Sequence, residues 1–140
     1  ARGFLTGKAQ EVTQLTDDDL RCTIARPRFE PDNFAHNIKV LKTFKAIAEK
    51  VGCSMPQLAL GWLLAQQNSK GEKTLVPIPG TKHINYMHEN GLAADIELDQ
   101  NTVIELNDLI NEDTIRGDRY SEQLMQSIDS ENDRKKEIDE

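Results

Sequence analysis

The stretch Val76-Pro77-Ile78-Pro79-Gly80-Thr81-Lys82, followed by Tyr86, Glu89 and Asn90, carries the residue types best suited to hold an anion. A short apolar run that ends in a Gly-led turn and opens a helix collects unpaired backbone N–H groups and the positive end of the helix dipole, and Lys82 adds a full charge there. Phosphate is the natural guest. The same spacing also suits an ordinary β–α connection with Lys82 in solvent, and spacing alone leaves both readings open.

Other chemistry-bearing residues are less suggestive. His83 and His88 lie on different faces of a helix and His36 is distant, so no metal-ligand spacing exists and no metal is expected. Asp17, Asp18 and Asp19 sit in a polar stretch with nothing to raise a carboxyl pKa, which makes them a solvated face rather than general acids. Cys22 and Cys53 are far apart and lack C-x-x-C spacing, as suits reduced thiols without a role. Trp62, on an apolar helix, reads as core.

The elements that must position the anion site follow from periodicity. Phe34, Ile38, Leu41, Phe44, Ala48 and Val51 recur at spacings of three and four, which predicts a helix from Pro31-Asp32 to about Lys50 with Gly52 as its stop. Ser54 with Gln57 makes a capping box, and the apolar run Leu58 to Leu64 predicts a buried helix behind it. Leu75 to Ile78 reads as one clear strand ending at Gly80; its prolines suit a strand leaving a barrel toward a ligand loop. A further helix is expected over Asn85 to Ala94. Asp99 caps another that runs to about Ile110, with Leu98 and Val103 as a hydrophobic staple. The first thirty residues read as a long excursion, and Phe4-Leu5 as the possible end of a second strand. Residues 1–128 form the body and 129–140 a charged tail without a fold. One strand cannot make a sheet, so its partners are expected outside this sequence.

Composition bounds the rest. The chain has 140 residues, 37% hydrophobic and 29% charged, enough for a core of its own. A net charge of −7 speaks against nucleic acid or an anionic membrane surface as partner. No apolar run approaches the ~18 residues that span a bilayer, and the opening lacks the pattern of a secretion signal, so a cytoplasmic protein is expected.

Ile78-Pro79-Gly80-Thr81-Lys82 with Glu89-Asn90 resembles the aldo-keto reductase signature after the eighth barrel strand. Further matches keep the family's order. Arg2-Gly3-Phe4-Leu5-Thr6-Gly7-Lys8 resembles the loop after strand seven, Pro27-Arg28-Phe29 with Asn33 the entry to the next helix, Gln57 to Leu64 the buried helix before strand eight, and Gly117-Asp118-Arg119-Tyr120 the C-terminal segment. The resemblance implies an α/β fold, the C-terminal portion of a (β/α)8 TIM barrel, mostly helical in this chain. Such a barrel needs roughly 250 residues, about half of which would be present here. It also implies NADP(H) as cofactor: Gly80, Thr81 and Lys82 gripping the 2′-phosphate, Tyr86, Glu89 and Asn90 facing the adenine, and Lys8 on the loop that wraps the pyrophosphate. One of Arg21, Arg26 and Arg28 would fold over that pyrophosphate. The match departs at Tyr86, where several branches of the family carry an arginine.

Family members reduce aldehydes and ketones by hydride transfer, with a tyrosine, lysine, aspartate and histidine on earlier strands. None of these can be placed on this sequence, since Tyr86 and Tyr120 match other positions. The resemblance therefore implies that the chain belongs to a longer oxidoreductase, that its partner is the N-terminal half of the barrel, that a small carbonyl is the intact enzyme's substrate, and that the chain alone is poorly folded and inactive. The alternative is a non-catalytic, nucleotide-sensing or regulatory subunit of the same superfamily.

Overall fold

The computed structural model describes residues 2–8, 19, 21–23, 25–67, 70–73 and 75–126. Its helices are α1 (Arg26–Phe29), α2 (Pro31–Val51), α3 (Met55–Ala65), α4 (Ile84–Gly91), α5 (Gln100–Leu109) and α6 (Glu122–Met125), with 3-10 turns at Phe4–Thr6 and Leu92–Asp95. The chain divides into two compact units, one of Ala1–Lys8 with Lys39–Thr114 and one of Ala9–Ile38 with Ile115–Glu140.

In the first unit the apolar stripe of α2 does what its spacing predicts. Phe44, Ile47 and Ala48 are buried against Leu58 of α3 and Leu106 of α5, with Leu5, Trp62 and Leu98 packed around them. Phe44, Leu58 and Leu106 are the largest fully buried side chains, and each such burial stabilises by roughly 1.5–3 kcal/mol. The Gly52 stop is present: Gly52 N–H donates to Glu49 O (3.2 Å) and Cys53 N–H to Ala48 O (3.0 Å), a pattern that satisfies the last carbonyls of a helix. The capping box holds too. Ser54 Oγ accepts from Gln57 N–H and Gln57 Oε1 accepts from Ser54 N–H (3.0 Å). Asp99 caps α5 by accepting from the backbone N–H (2.8 Å) and hydroxyl (3.1 Å) of Thr102, bonds that hold its carboxyl below the usual range. Trp62 is only partly buried, and its indole N–H donates to Asn107 Oδ1 (2.8 Å).

Three expectations are corrected. Residues 75–80 form no strand, nor does any other described residue. A strand exists through its ladder, and this run meets no second strand to pair with; Pro77 and Pro79 also lack the N–H a ladder needs. Val76 and Ile78 stand 85% and 92% exposed. Phe4 and Leu5 lie in a 3-10 turn rather than at a strand end. The helix expected over Asn85 to Ala94 is α-helical only to Gly91 and tightens into the 3-10 turn Leu92–Asp95.

The second unit centres on Asn37, which is buried although polar. Its side chain donates to Arg116 O (2.9 Å) and accepts from Arg116 N–H (2.8 Å), so both ends of the amide are satisfied. Gly117 follows with φ +85°, and a Cβ there would stand 2.4 Å from Pro27 O. Its own carbonyl accepts from Arg28 Nε–H (3.1 Å). The two segments that resemble separate family motifs thus clasp each other. The expected tail, 129–140, lies outside the described residues.

Candidate functional site

The first unit gathers the expected anion-site residues around the N-terminus of α4. The turn Phe4–Thr6 is bracketed by Gly3 and Gly7, both left-handed, and is tied by Thr6 Oγ1–H to Gly3 O (2.6 Å) and Gly7 N–H to Phe4 O (3.2 Å). Gly7, at φ +69°, lies so close to α3 that a Cβ would meet Met55 Sδ at 2.9 Å. With Leu5 anchored in the core, this turn delivers Lys8 to Tyr86. The Lys8 ammonium sits 3.4 Å from the centre of the Tyr86 ring, a cation–π pair. The His83 ring meets Tyr86 edge-on at 5.1 Å.

Thr81 Oγ1 accepts from His83 N–H (3.1 Å) and so sets the entry to α4. The first α-helical bond is Met87 N–H to His83 O (3.1 Å), which leaves the N–H groups of the opening turn without i−4 partners, as at any helix start. Lys82 is exposed, and no ion pair engages it among the described residues. Space beside Gly80 is open, with no heavy atom within 4 Å of where a Cβ would stand. Asn90 lines an apolar groove of about 430 Å³ together with Leu60, Leu64, Val76, Pro77 and Met87.

Glu89 takes a different course. Its carboxylate Oε1 accepts from Ser54 Oγ–H (2.6 Å) and its backbone carbonyl from Gln57 Nε2–H (3.2 Å), so it faces the N-terminus of α3. Lys8 and Tyr86 are thus brought together, Gly80, Thr81 and Lys82 lead into the same helix start, Asn90 faces the groove, and Glu89 is bonded to α3. Ser54 and Gln57 were legible as a cap but not as partners of Glu89, 35 and 32 residues away. No sequence signal links residues so far apart.

The three arginines considered for a second anion contact belong to the second unit and are each engaged there. Arg21 forks onto Asp19 (Nε–Oδ1 2.8 Å, NH2–Oδ2 2.6 Å), and that hydrogen-bonded guanidinium lowers the Asp19 carboxyl to about 2. Arg26 pairs with Glu30 (2.7 Å) and Arg28 bonds Gly117 O. Among the described residues no group of three or more His, Cys, Asp or Glu could hold a metal ion. Cys22 and Cys53 are free, and burial pushes the Cys53 thiol upward.

The Aldo/keto reductase family pattern matches residues 1–111. The chain belongs to that family. It is 39% identical over 129 residues to the aldo-keto reductase str7 of Strobilurus tenacellus, covering 92% of this chain and 36% of that protein. It is 34% identical over 119 residues to the aldo-keto reductase yakc [NADP(+)] of Schizosaccharomyces pombe, covering 85% and 33%. An aldo-keto reductase of Gibberella moniliformis is 33% identical, with 85% and 34% covered. The chain therefore spans about a third of the length of these curated relatives, less than the half expected from its motifs. No solved structure matches it. Aldo-keto reductases are oxidoreductases built on the (β/α)8 barrel, and this chain supplies a helical portion of such a fold. No described helix is long and apolar enough to cross a membrane.

Proposed function

We propose that this chain is the C-terminal, cofactor-gripping portion of an NADP(H)-dependent aldo-keto reductase that reduces small aldehydes or ketones in the cytoplasm. The observation that carries the reading is the pairing of Lys8 with Tyr86 at the start of α4, directly after Gly80-Thr81-Lys82. A donor set of two lysines, a threonine hydroxyl and free helix N–H groups fits the 2′-phosphate, and the half-exposed Tyr86 ring offers an adenine a stacking face. Lys8 also supplies the charge that a tyrosine lacks at a position where an arginine would have brought its own. The yakc relative's name includes NADP(+), which supports the same choice of cofactor. NADPH, when bound, supplies the hydride. The residues named here bind and orient: Lys82, Thr81 and Gly80 at the phosphate, Tyr86, Asn90 and Glu89 on the adenine side, and Lys8 on the loop that crosses the site.

The catalytic tyrosine and its supporting groups, in this reading, belong to the rest of the barrel, which is also the partner for the exposed Val76, Ile78 and Ile84. The test of the cofactor site is Lys82→Glu in the full-length protein that carries this chain. The dissociation constant for NADPH is expected to rise about tenfold or more while that for NADH changes little, because only NADPH places a phosphate where the charge is reversed. Equal weakening of both cofactors would remove Lys82 from the phosphate site. The 140-residue chain by itself is expected to oxidise no NADPH with a broad aldehyde substrate; turnover above buffer would show that proton-donating groups lie within it.

A further inference from the structure

We infer that Asn90-Gly91 is a self-modifying site: the Gly91 backbone nitrogen closes on the Asn90 side-chain amide, expels ammonia, and with time removes the amide that faces the nucleotide. Only the last clause rests on the cofactor reading above. Asn90 is the sole asparagine of the sequence that stands before a glycine. Any other following residue sets a Cβ beside the attacking nitrogen, so this pair is the least hindered for ring closure. Gly91 is not required by its backbone. Its φ of −61° and ψ of −41° are ordinary right-handed helix, and a Cβ there would meet no atom within 4 Å. A glycine in such a place weakens the helix with no steric need for it. What it adds is access: Gly91 is exposed, and the half-buried Asn90 amide makes no side-chain hydrogen bond among the described residues.

The last turn of α4 also opens readily. No residue of this helix is buried, its hydrogen bonds to α3 end at Glu89, and Leu92 N–H is shared between Asn90 O and His88 O. Few buried contacts mean a low free energy of local opening, and opening frees the Gly91 nitrogen to turn toward Asn90 Cγ. The atoms then balance with water as the only co-reactant. The Gly91 nitrogen gives up its proton and bonds to Cγ, the Cγ–Nδ2 bond breaks, and the leaving nitrogen departs with that proton as ammonia. A five-membered imide remains. Water opens it on one of two sides: cleavage of the new N–Cγ bond leaves aspartate at position 90, and cleavage between the Gly91 nitrogen and the residue 90 carbonyl carbon leaves isoaspartate. Either product puts a carboxylate at the negative end of the α4 dipole, where it is unfavourable. Isoaspartate also adds a backbone carbon that breaks the i to i−4 register.

The test is incubation of the full-length protein that carries this chain in warm, mildly alkaline buffer, followed by peptide mapping in a mass spectrometer, ammonia release and NADPH affinity. Residue 90 is expected to exchange NH for O, as a mixture of aspartate and isoaspartate. It should do so about tenfold or more faster than Asn85, which is exposed in the first turn of the same helix but precedes tyrosine. Gly91→Ala should begin with NADPH affinity within about twofold of the unmodified protein, and convert about tenfold more slowly. Bound NADPH, by ordering α4, should slow conversion of the unmodified protein. Converted protein should bind NADPH about tenfold more weakly than fresh protein.

Conversion of Asn90 no faster than that of Asn85, or a Gly91→Ala variant that converts as fast as the unmodified protein, would overturn the site. Full conversion with unchanged NADPH affinity would overturn its effect on the nucleotide. If the fresh protein binds no NADPH, the cofactor reading falls together with that effect, while the mass of residue 90 still decides the modification itself.

Discussion

The two sides of the first unit are built on different principles. On one side α2, α3 and α5 close over Phe44, Leu58 and Leu106, which are sealed from solvent. On the other, the run from Leu75 to Met87 leaves Val76, Ile78, Ile84 and Met87 open, and α4 is held by polar contacts. All the candidate cofactor residues lie on or beside the second side. A hydrophobic core is specified by nearby periodicity and completes itself, whereas a binding edge is specified by what will come to it.

The largest effect should fall on the closed side. Phe44→Ala is expected to cost about 3–5 kcal/mol, read from denaturant unfolding of the full-length protein. A change within about 0.5 kcal/mol, the size expected at an exposed position, would show that Phe44 is not sealed in a core and would break the contrast. Next in size is Gly7→Ala. A left-handed alanine costs about 1–2 kcal/mol, and the new Cβ presses on Met55, so Lys8 should leave Tyr86 as well. Ring-proton shifts of Tyr86 would report that departure, and unchanged shifts would show that Lys8 finds the ring without the turn.

Smaller still is the Lys8–Tyr86 pair itself. A cycle of Lys8→Met and Tyr86→Leu should return a coupling of about 0.5–1 kcal/mol, as for an exposed cation–π contact. A zero coupling would leave the two residues neighbours only. The second unit supplies a control for exposed electrostatics. Asp19, held at about 2 against a usual 3.8, contributes stability that is complete above pH 3.8 and lost as pH falls toward 2. Its carboxyl titration followed by NMR should rise toward the usual value in Arg21→Gln without fully reaching it, because the backbone N–H of residue 21 still donates to Asp19 Oδ1 (2.9 Å), and an unmoved midpoint would assign the shift elsewhere.

What could be read from the amino acids alone follows the same division. The stripe of α2, the Gly52 stop, the Ser54-Gln57 box and the Asp99 cap each depend on residues within a turn or two of one another, and each is present as expected. The strand expected at Leu75–Ile78 has no such local basis, and the structure does not form it. Alternating apolar residues and prolines are compatible with a strand, but only a neighbouring strand makes one, and no described residue provides it. The site was half legible. Gly80-Thr81-Lys82 before a helix is a local signal, but the approach of Lys8 to Tyr86 and of Glu89 to Ser54 depends on how the Gly7 turn and α3 pack. Asn37 as a buried amide had no signal either, since its partner lies 79 residues along the chain.

That last separation bears on how the protein is made. A ribosome adds about 5–20 residues per second, so Asn37 waits roughly 4 to 16 s for Arg116 to be synthesised. The C-terminal part of α2 needs only Leu58 to begin its core, and can start far earlier. One helix thus matures in two stages, its later turns first and its opening turns after. A nascent chain stalled short of residue 116 would carry the whole sequence of α2 with both Asn37 bonds unmade, and Gly117, the residue with room to pass Pro27, not yet added.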